Sequence, residues 1–140
     1  MKQLFIAVTA KLEESAMRWV DEDKGQMNYK NPPVIFPAAL VEIDIPTIET
    51  LSRKAQNMEP TVTVRLCFDF MGKTSNATPK IARDKSLLYY DQVQEIYELL
   101  QGFEGVSFNA LELRSLMQEK RPDGYKVVAL RFGTEFHEFV

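Results

Sequence analysis

The chain has 140 residues, of which 45% are hydrophobic and 26% are charged, a size and composition that predict one soluble globular domain. The formal charge is −3 and the Lys and Arg residues are scattered, which argues against the one-sided basic surface of a nucleic-acid-binding protein. The longest apolar runs fall well short of the roughly 20 residues that cross a bilayer, and no cleavable signal peptide is apparent. We therefore expect a protein that is cytoplasmic when made, with no membrane partner and no specific nucleic-acid partner.

Cysteine and histidine occur once each, as Cys67 and His137. A metal centre needs several converging ligands, and a nucleophilic cysteine needs a histidine partner. His137 lies near the end of the chain, where segments tend to fray, and no motif surrounds either residue. The sequence predicts no catalytic residue, no cofactor and no metal.

Apolar residues at helical spacing predict a first helix over about Lys2 to Met17. Its apolar stripe consists of Leu4, Val8 and Leu12. Residues 18–20 then predict a short edge strand, in which we expect Trp19 to take a core position beside the helix rather than to anchor an interface. The acidic run 21–23 predicts a solvated turn.

Three prolines make residues 27–37 extended or turn-like. Alternating side chains then predict a half-buried strand over Ala38 to Ile45. Glu42 and Asp44 fall on one side of this strand. Two carboxylates at that spacing are also compatible with a paired-carboxylate site, but no nearby residue supports one.

The composition of Thr47 to Met58 suits either a strand or a short helix. We favour a strand, because residues 57–60 are turn-like and the clearest strand of the chain, Pro60 to Met71, follows directly to complete a hairpin. Cys67 lies on the outward side of that second strand. Its apolar side consists of Val62, Val64, Leu66, Phe68 and Phe70.

The segment Gly72 to Arg83 is rich in Gly, Ser, Thr, Asn and Pro, which predicts a mobile polar loop. It begins with Gly-Lys-Thr, but Cys67 stands where a phosphate-binding loop requires its first glycine. The cations of the loop are candidate contacts for a partner: Lys73, Lys80 and Arg83.

A second amphipathic helix is predicted over about Asp84 to Gln101, with Gly102 as its stop. Its apolar stripe consists of Tyr89, Val93, Ile96, Leu100 and Phe103. A closing hairpin is predicted from Ser107 to Phe132, with a turn at residues 121–124. Its first strand is expected to place Leu111, Leu113 and Met117 on one side.

The last segment, Thr134 to Val140, is apolar enough to pack down or to dock on a neighbouring protein. Phe136 and Phe139 are its candidate contact residues.

Together these elements predict a single α+β domain over residues 1–140, with a mobile loop at about 72–83. We expect a mainly antiparallel sheet of four to six strands, with two helices packed on one face, because both helical stripes need a common apolar surface. The predicted order is α-β-β-β-α-β-β.

Three segments resemble phage tail terminator and tail completion (minor tail) proteins of the prophage type. They are NPPVIFPAALVEID, the strand TVTVRLCFDFMG with the helix LLYYDQVQEIYELLQGF that follows it, and the hairpin around RPDGYKVVALRF. The resemblance covers nearly the whole chain. It implies an α+β fold, assembly into hexameric rings that cap the tail tube, and no catalytic residues.

The resemblance therefore implies a structural component of a phage or prophage tail or head–tail junction. Its expected partners are further copies of itself and tail tube or head–tail connector proteins, and its expected final location is the virion tail. An intracellular adaptor or regulatory protein that binds its partner by strand addition is the alternative. A small-molecule enzyme is less favoured, because the chain carries no reactive motif.

Overall fold

The computed structural model describes residues 1–69 and 74–140. Within them lie three α-helices, one short 3-10 turn and a sheet of six strands. In chain order the elements are α1 (Lys2–Leu12), β1 (Trp19–Glu22), the 3-10 turn (Gln26–Asn28), β2 (Ala38–Thr50), β3 (Ala55–Phe68), α2 (Lys80–Ser86), α3 (Tyr89–Leu100), β4 (Glu112–Glu119), β5 (Lys126–Gly133) and β6 (Phe136–Phe139).

The sheet has the strand order β1-β2-β3-β5-β4, and β6 also pairs with β3. Strand β1 runs parallel to β2, and the other pairings are antiparallel. Two strands share one edge of β3, since β5 pairs with residues 61–68 and β6 pairs with residues 55–58. The predicted fold class and element order are confirmed, with α2 and α3 together forming the second helical region.

One side of the sheet, which we call the helix side, packs against α1 and α3. Leu66 is fully buried there, as are its neighbours Val62 and Val64 on the same side of β3. This confirms the predicted apolar side of the strand for its described members, while Phe70 lies outside the described residues. The helices contribute their predicted stripes to the same core: Leu4, Val8 and Leu12 from α1, and Val93, Ile96 and Leu100 from α3.

Both helices differ from the sequence prediction in extent. Helix α1 ends at Leu12 rather than at Met17, and the Ser15 hydroxyl donates to the Leu12 carbonyl at the point where the helix stops. A serine that bonds local backbone in this way competes with continuation of the helix. The predicted second helix is broken at residues 87–88, and its end before Gly102, which has φ +77°, is confirmed.

The predicted turn at residues 57–60 is wrong. Strand β3 passes through these residues, and the turn between β2 and β3 lies at residues 51–54. Pro46 and Pro60 explain the difference. They lie together at a register irregularity between the two strands, where the ladder does not require the hydrogen bond that a proline cannot donate.

Strand β4 contains a second irregularity, between Leu113 and Ser115. An extra residue in one strand moves every later side chain to the other side of the sheet. The prediction that Met117 shares a side with Leu113 is therefore wrong. Met117 is 58% exposed on the side away from the helices, and Leu116 takes the helix side in its place.

The predicted mobile loop stays a prediction. Residues 72 and 73 lie outside the described part of the chain, and residues 75–78 form a turn. The last four residues of the predicted loop, 80–83, are helical and belong to α2.

Candidate assembly surfaces

The second side of the sheet, which we call the open side, carries a small apolar cluster beneath residues 26–37. Met27 covers this cluster, whose members from the sheet are Ala38, Leu40, Cys67 and Val127. Trp19 packs against its margin, half-buried. Trp19 is therefore partly buried, but its side chain packs on the side of the sheet away from the helices, which differs from the predicted position beside the helix.

Arg65 lies next to this cluster and binds two carboxylates. Its Nε and Nη2 atoms donate to the two oxygens of Glu119, each at 2.9 Å, and its Nη1 atom donates to Asp23 at 3.1 Å. Burial acts to lower the pKa of Arg65, but the hydrogen bonds to Glu119 and Asp23 outweigh it and raise that pKa. The acidic run 21–23 is therefore more than a solvated turn, because Asp23 is held in an ion pair.

Arg121 extends this ionic cluster toward the turn between β4 and β5. Its guanidinium contacts Asp123 at 2.6 Å and Glu119 at 3.5 Å, and it donates to the carbonyl of Met27. The hydrogen bond from Arg121 lowers the pKa of Asp123. The cluster thereby ties three separate segments together, a structural role that leaves both guanidinium groups occupied.

Cys67 and His137 lie far apart. His137 is opposite Asn57 in the pairing of β6 with β3, ten residues along the strand from Cys67, a separation of roughly 33 Å at the usual rise of a strand. Burial raises the pKa of the Cys67 thiol to about 12. A buried, protonated thiol is a poor nucleophile, so the geometry gives no support to a catalytic pair.

Carboxylates meet in a polar groove that lies near the junction of β5 and β6. Glu59 and Glu135 both line this groove, and the interaction with Glu135 raises the pKa of Glu59. Arg114 also lines the groove and acts in the opposite direction. Among residues 1–69 and 74–140, no group of three or more Asp, Glu, His or Cys side chains is arranged to hold a metal ion. Glu42 and Asp44, the two carboxylates noted in the sequence, therefore belong to no such group.

The structure separates the predicted contact residues. Lys80 and Arg83 lie on α2, whereas Phe139 lies on β6 and is 78% exposed. Phe136 is only 8% exposed and packs in the core of the helix side. Lys73 lies outside the described residues.

An exposed apolar surface that the sequence did not predict lies at the far end of β2 and β3. Beyond the two prolines, β2 and β3 project with β6 as a three-stranded extension, which we call the tongue (residues 46–60 and 136–140). Residues 46–54 are all exposed, and Ile48 and Leu51 are each 52% exposed. With the turn assigned to residues 57–60, nothing in the sequence indicated a projecting tip.

A groove of about 410 Å³ lies between α3 and β4. Val93 and Val128 form its apolar floor, at 6% and 1% exposure, and Leu116 forms a wall at 45% exposure. Tyr90 borders it and accepts a hydrogen bond from Gln118 at 3.2 Å. The groove exists because the irregularity in β4 turns Leu116 toward the helix side.

No protein-family model matches the sequence, and a comparison with curated proteins finds no match. Among solved structures, a chain from the virion of a native gene transfer agent (GTA) particle is similar, with a TM-score of 0.57 and 12% sequence identity. The similarity covers 96% of this chain and 94% of that chain. At this level of identity it shows a shared fold.

The helices of the described residues are too short and too polar to span a bilayer.

Proposed function

We propose that the protein is a non-catalytic structural component of a phage-like virion. Within that class we infer a tail terminator or tail completion protein of a phage or prophage, cytoplasmic when made and located in the virion tail after assembly. The observation that carries the proposal is the fold shared over almost the whole length with a chain of a GTA virion. The three segments that resemble tail terminator proteins support the same role.

The surface supports a role in contact rather than in chemistry. The tongue exposes Phe139 and Val140, at 78% and 79%, in addition to its exposed tip. Helix α2 adds a second exposed region, in which Ile81 is 86% exposed beside Lys80 and Arg83. Ile48, Leu51, Phe139 and Val140 all belong to the tongue, and apolar groups gathered on one surface are typical of sites that bind other proteins.

We infer two kinds of contact. Copies of the protein associate with one another, and the assembly docks on the tail tube or on head–tail connector proteins. Phe139, Lys80 and Arg83 are the proposed contact residues in the described structure, and Lys73 is proposed from the sequence alone. Phe136 faces the core, so its part in docking is to hold β6 in place.

Size-exclusion chromatography with light scattering tests this proposal directly. We expect a mass that is a multiple of the monomer mass, ring-shaped particles in negative-stain electron micrographs, and binding to purified tail tube protein of the same phage or prophage. A protein that stays monomeric and binds neither tail tube nor connector protein would contradict the proposal.

Two phenylalanine substitutions separate contact from folding. Phe139→Ser removes an exposed side chain, so we expect weaker assembly or tail-tube binding with an unchanged thermal midpoint. Phe136→Ser places a hydroxyl in the core and should lower the thermal midpoint. If Phe139→Ser assembles and binds like the unaltered protein, the tongue surface around Phe139 is not a contact site.

An adaptor that binds by strand addition is the second candidate. Strand β4 forms one edge of the sheet and exposes Leu116 and Met117, one on each side. A free edge of this kind can accept an extended segment of another protein. Slowed amide exchange confined to β4 on binding of a partner, in a protein that stays monomeric, would favour this function.

A further inference from the structure

We propose that the tip of the tongue, residues 51–54, seats in the groove between α3 and β4 of a second copy of this chain. The inference rests on the proposed self-association and names the two surfaces that perform it. One surface is an apolar, cationic tip, and the other is an apolar groove with a carboxylate on its helical border.

The tip combines an exposed leucine with two cations. Leu51 is 52% exposed, and Arg53 and Lys54 follow it in a tight turn closed by a hydrogen bond from Leu51 N–H to the Ala55 carbonyl at 2.9 Å. Neither cation forms an ion pair with a side chain in the described part of the chain. The tip therefore presents apolar surface and unneutralised positive charge on a hydrogen-bonded turn.

The groove has the complementary character. Its floor and wall are apolar, and Asp91 lines its helical border. Helix α3 also carries Glu95 and Glu98 and has no Lys or Arg between Tyr89 and Leu100. On the sheet side, Lys126 donates to Gln118 of the lining. Glu95 already accepts a hydrogen bond from the Ala16 amide at 3.1 Å. Asp91 is thus the carboxylate of the groove lining, and Glu98, seven residues on along the same helix face, accepts a hydrogen bond from Gln94 at 3.0 Å. Opposite charges at the rim of an apolar contact favour and orient docking.

The two surfaces lie too far apart to meet within one molecule. The tip precedes Ala55, whereas Val128 in the groove is level with Leu66. These positions are eleven residues apart along β3, or roughly 36 Å. A contact between tip and groove therefore joins two copies through unlike surfaces, the arrangement that produces a ring when its rotation closes.

A charge exchange tests the contact. We compare Arg53→Glu/Lys54→Glu, the tip variant, with Asp91→Lys/Glu98→Lys, the groove variant. Each variant alone should weaken self-association, because like charges then face each other at the contact. We expect its dissociation constant to rise by about tenfold or more. Mixed in equal amounts, the two variants should assemble again. The acidic tip of the first variant then meets the basic groove of the second, and the basic tip of the second meets the unaltered groove of the first.

The matched control is Lys24→Glu/Lys30→Glu, which changes the net charge as much as the tip variant but lies in the loop on the open side. It should assemble like the unaltered protein, and circular dichroism should show all three variants folded.

A second readout uses Leu51→Cys and Leu116→Cys in one chain. Oxidation should link separate copies into a ladder on a non-reducing gel.

The outcomes separate this contact from the proposed function. If the unaltered protein assembles and the mixture of tip and groove variants does not recover, the named contact is wrong while self-association stands. If only the tip variant fails to assemble, the tip binds elsewhere and the inference is overturned. If the unaltered protein is monomeric at all concentrations, self-association and this inference fail together. Binding of the tip to tail tube protein instead would also overturn the contact between copies.

Discussion

On the helix side of the sheet, large apolar side chains such as Leu66 and Phe132 fill a continuous core beneath two helices. On the open side, a smaller cluster around Cys67 is bounded by the ion pairs of Arg65 and Arg121. The helix side is stabilised by the packing and the buried area of apolar side chains. The open side is stabilised by a few hydrogen-bonded ion pairs that hold the loop after β1 against the sheet. We therefore expect the two sides to respond differently to substitution, salt and pH.

The largest effect is expected on the helix side. Leu66→Ala should lower the free energy of unfolding by about 2–5 kcal/mol, because a fully buried leucine leaves a cavity when it is truncated. Leu88→Ala, at an exposed leucine between α2 and α3, is the matched control and should change it by less than about 0.5 kcal/mol. Urea denaturation measures both, and equal losses would show that the core does not lie where we place it.

An intermediate effect is expected on the open side. Arg65→Met removes the hydrogen bonds to Glu119 and Asp23, which leaves Asp23 without a cationic partner and Glu119 with its 3.5 Å contact to Arg121, at a cost of about 1–3 kcal/mol. Arg131→Met, an exposed arginine on the same side of the sheet, should cost less than about 0.5 kcal/mol. Denaturation at low and high salt checks the comparison, and a loss no greater for Arg65 than for Arg131 would mean that the ionic cluster does not hold the loop.

The smallest effect concerns the carboxylate pair. The pKa of Glu59 is raised by its hydrogen bond with Glu135, so ionised Glu59 destabilises the fold above that pKa, and the penalty is lost as the pH falls through it. Glu59→Gln should therefore raise the thermal midpoint at pH 7, with the gain disappearing at about pH 4. Glu104→Gln, in the loop after α3, removes the same charge at an exposed site and is the control variant. A constant difference across the pH range would contradict the pairing.

The parts of the fold that follow from local periodicity could be predicted from sequence. The apolar side of β3 and the stripe of α3 have the correct members, because burial of one face imposes a period of two on a strand and of about 3.6 on a helix. The stop at Gly102 also followed from local chemistry, since its positive φ suits glycine.

The parts that depend on pairing between strands could not be predicted. Pro60 indicated a turn because a lone proline interrupts a strand ladder, but Pro46 lies beside it in β2 and the two share one irregularity. The same limit applies to Met117, whose side of the sheet is set by the irregularity in β4. Both the tip and the groove arise from these irregularities, so the candidate surfaces were invisible to periodicity alone.

The shared edge of β3 also has a consequence for the order of folding. Strand β2 immediately precedes β3, so the hairpin between them forms from local contacts. The other edge of β3 stays open until residues 126–139 have been synthesised, after both α2 and α3. Closing such a distant pairing is slow, and an uncovered strand edge invites aggregation in the meantime. The nascent chain is therefore expected to pass through a stage in which its central strand has a partner on one edge only.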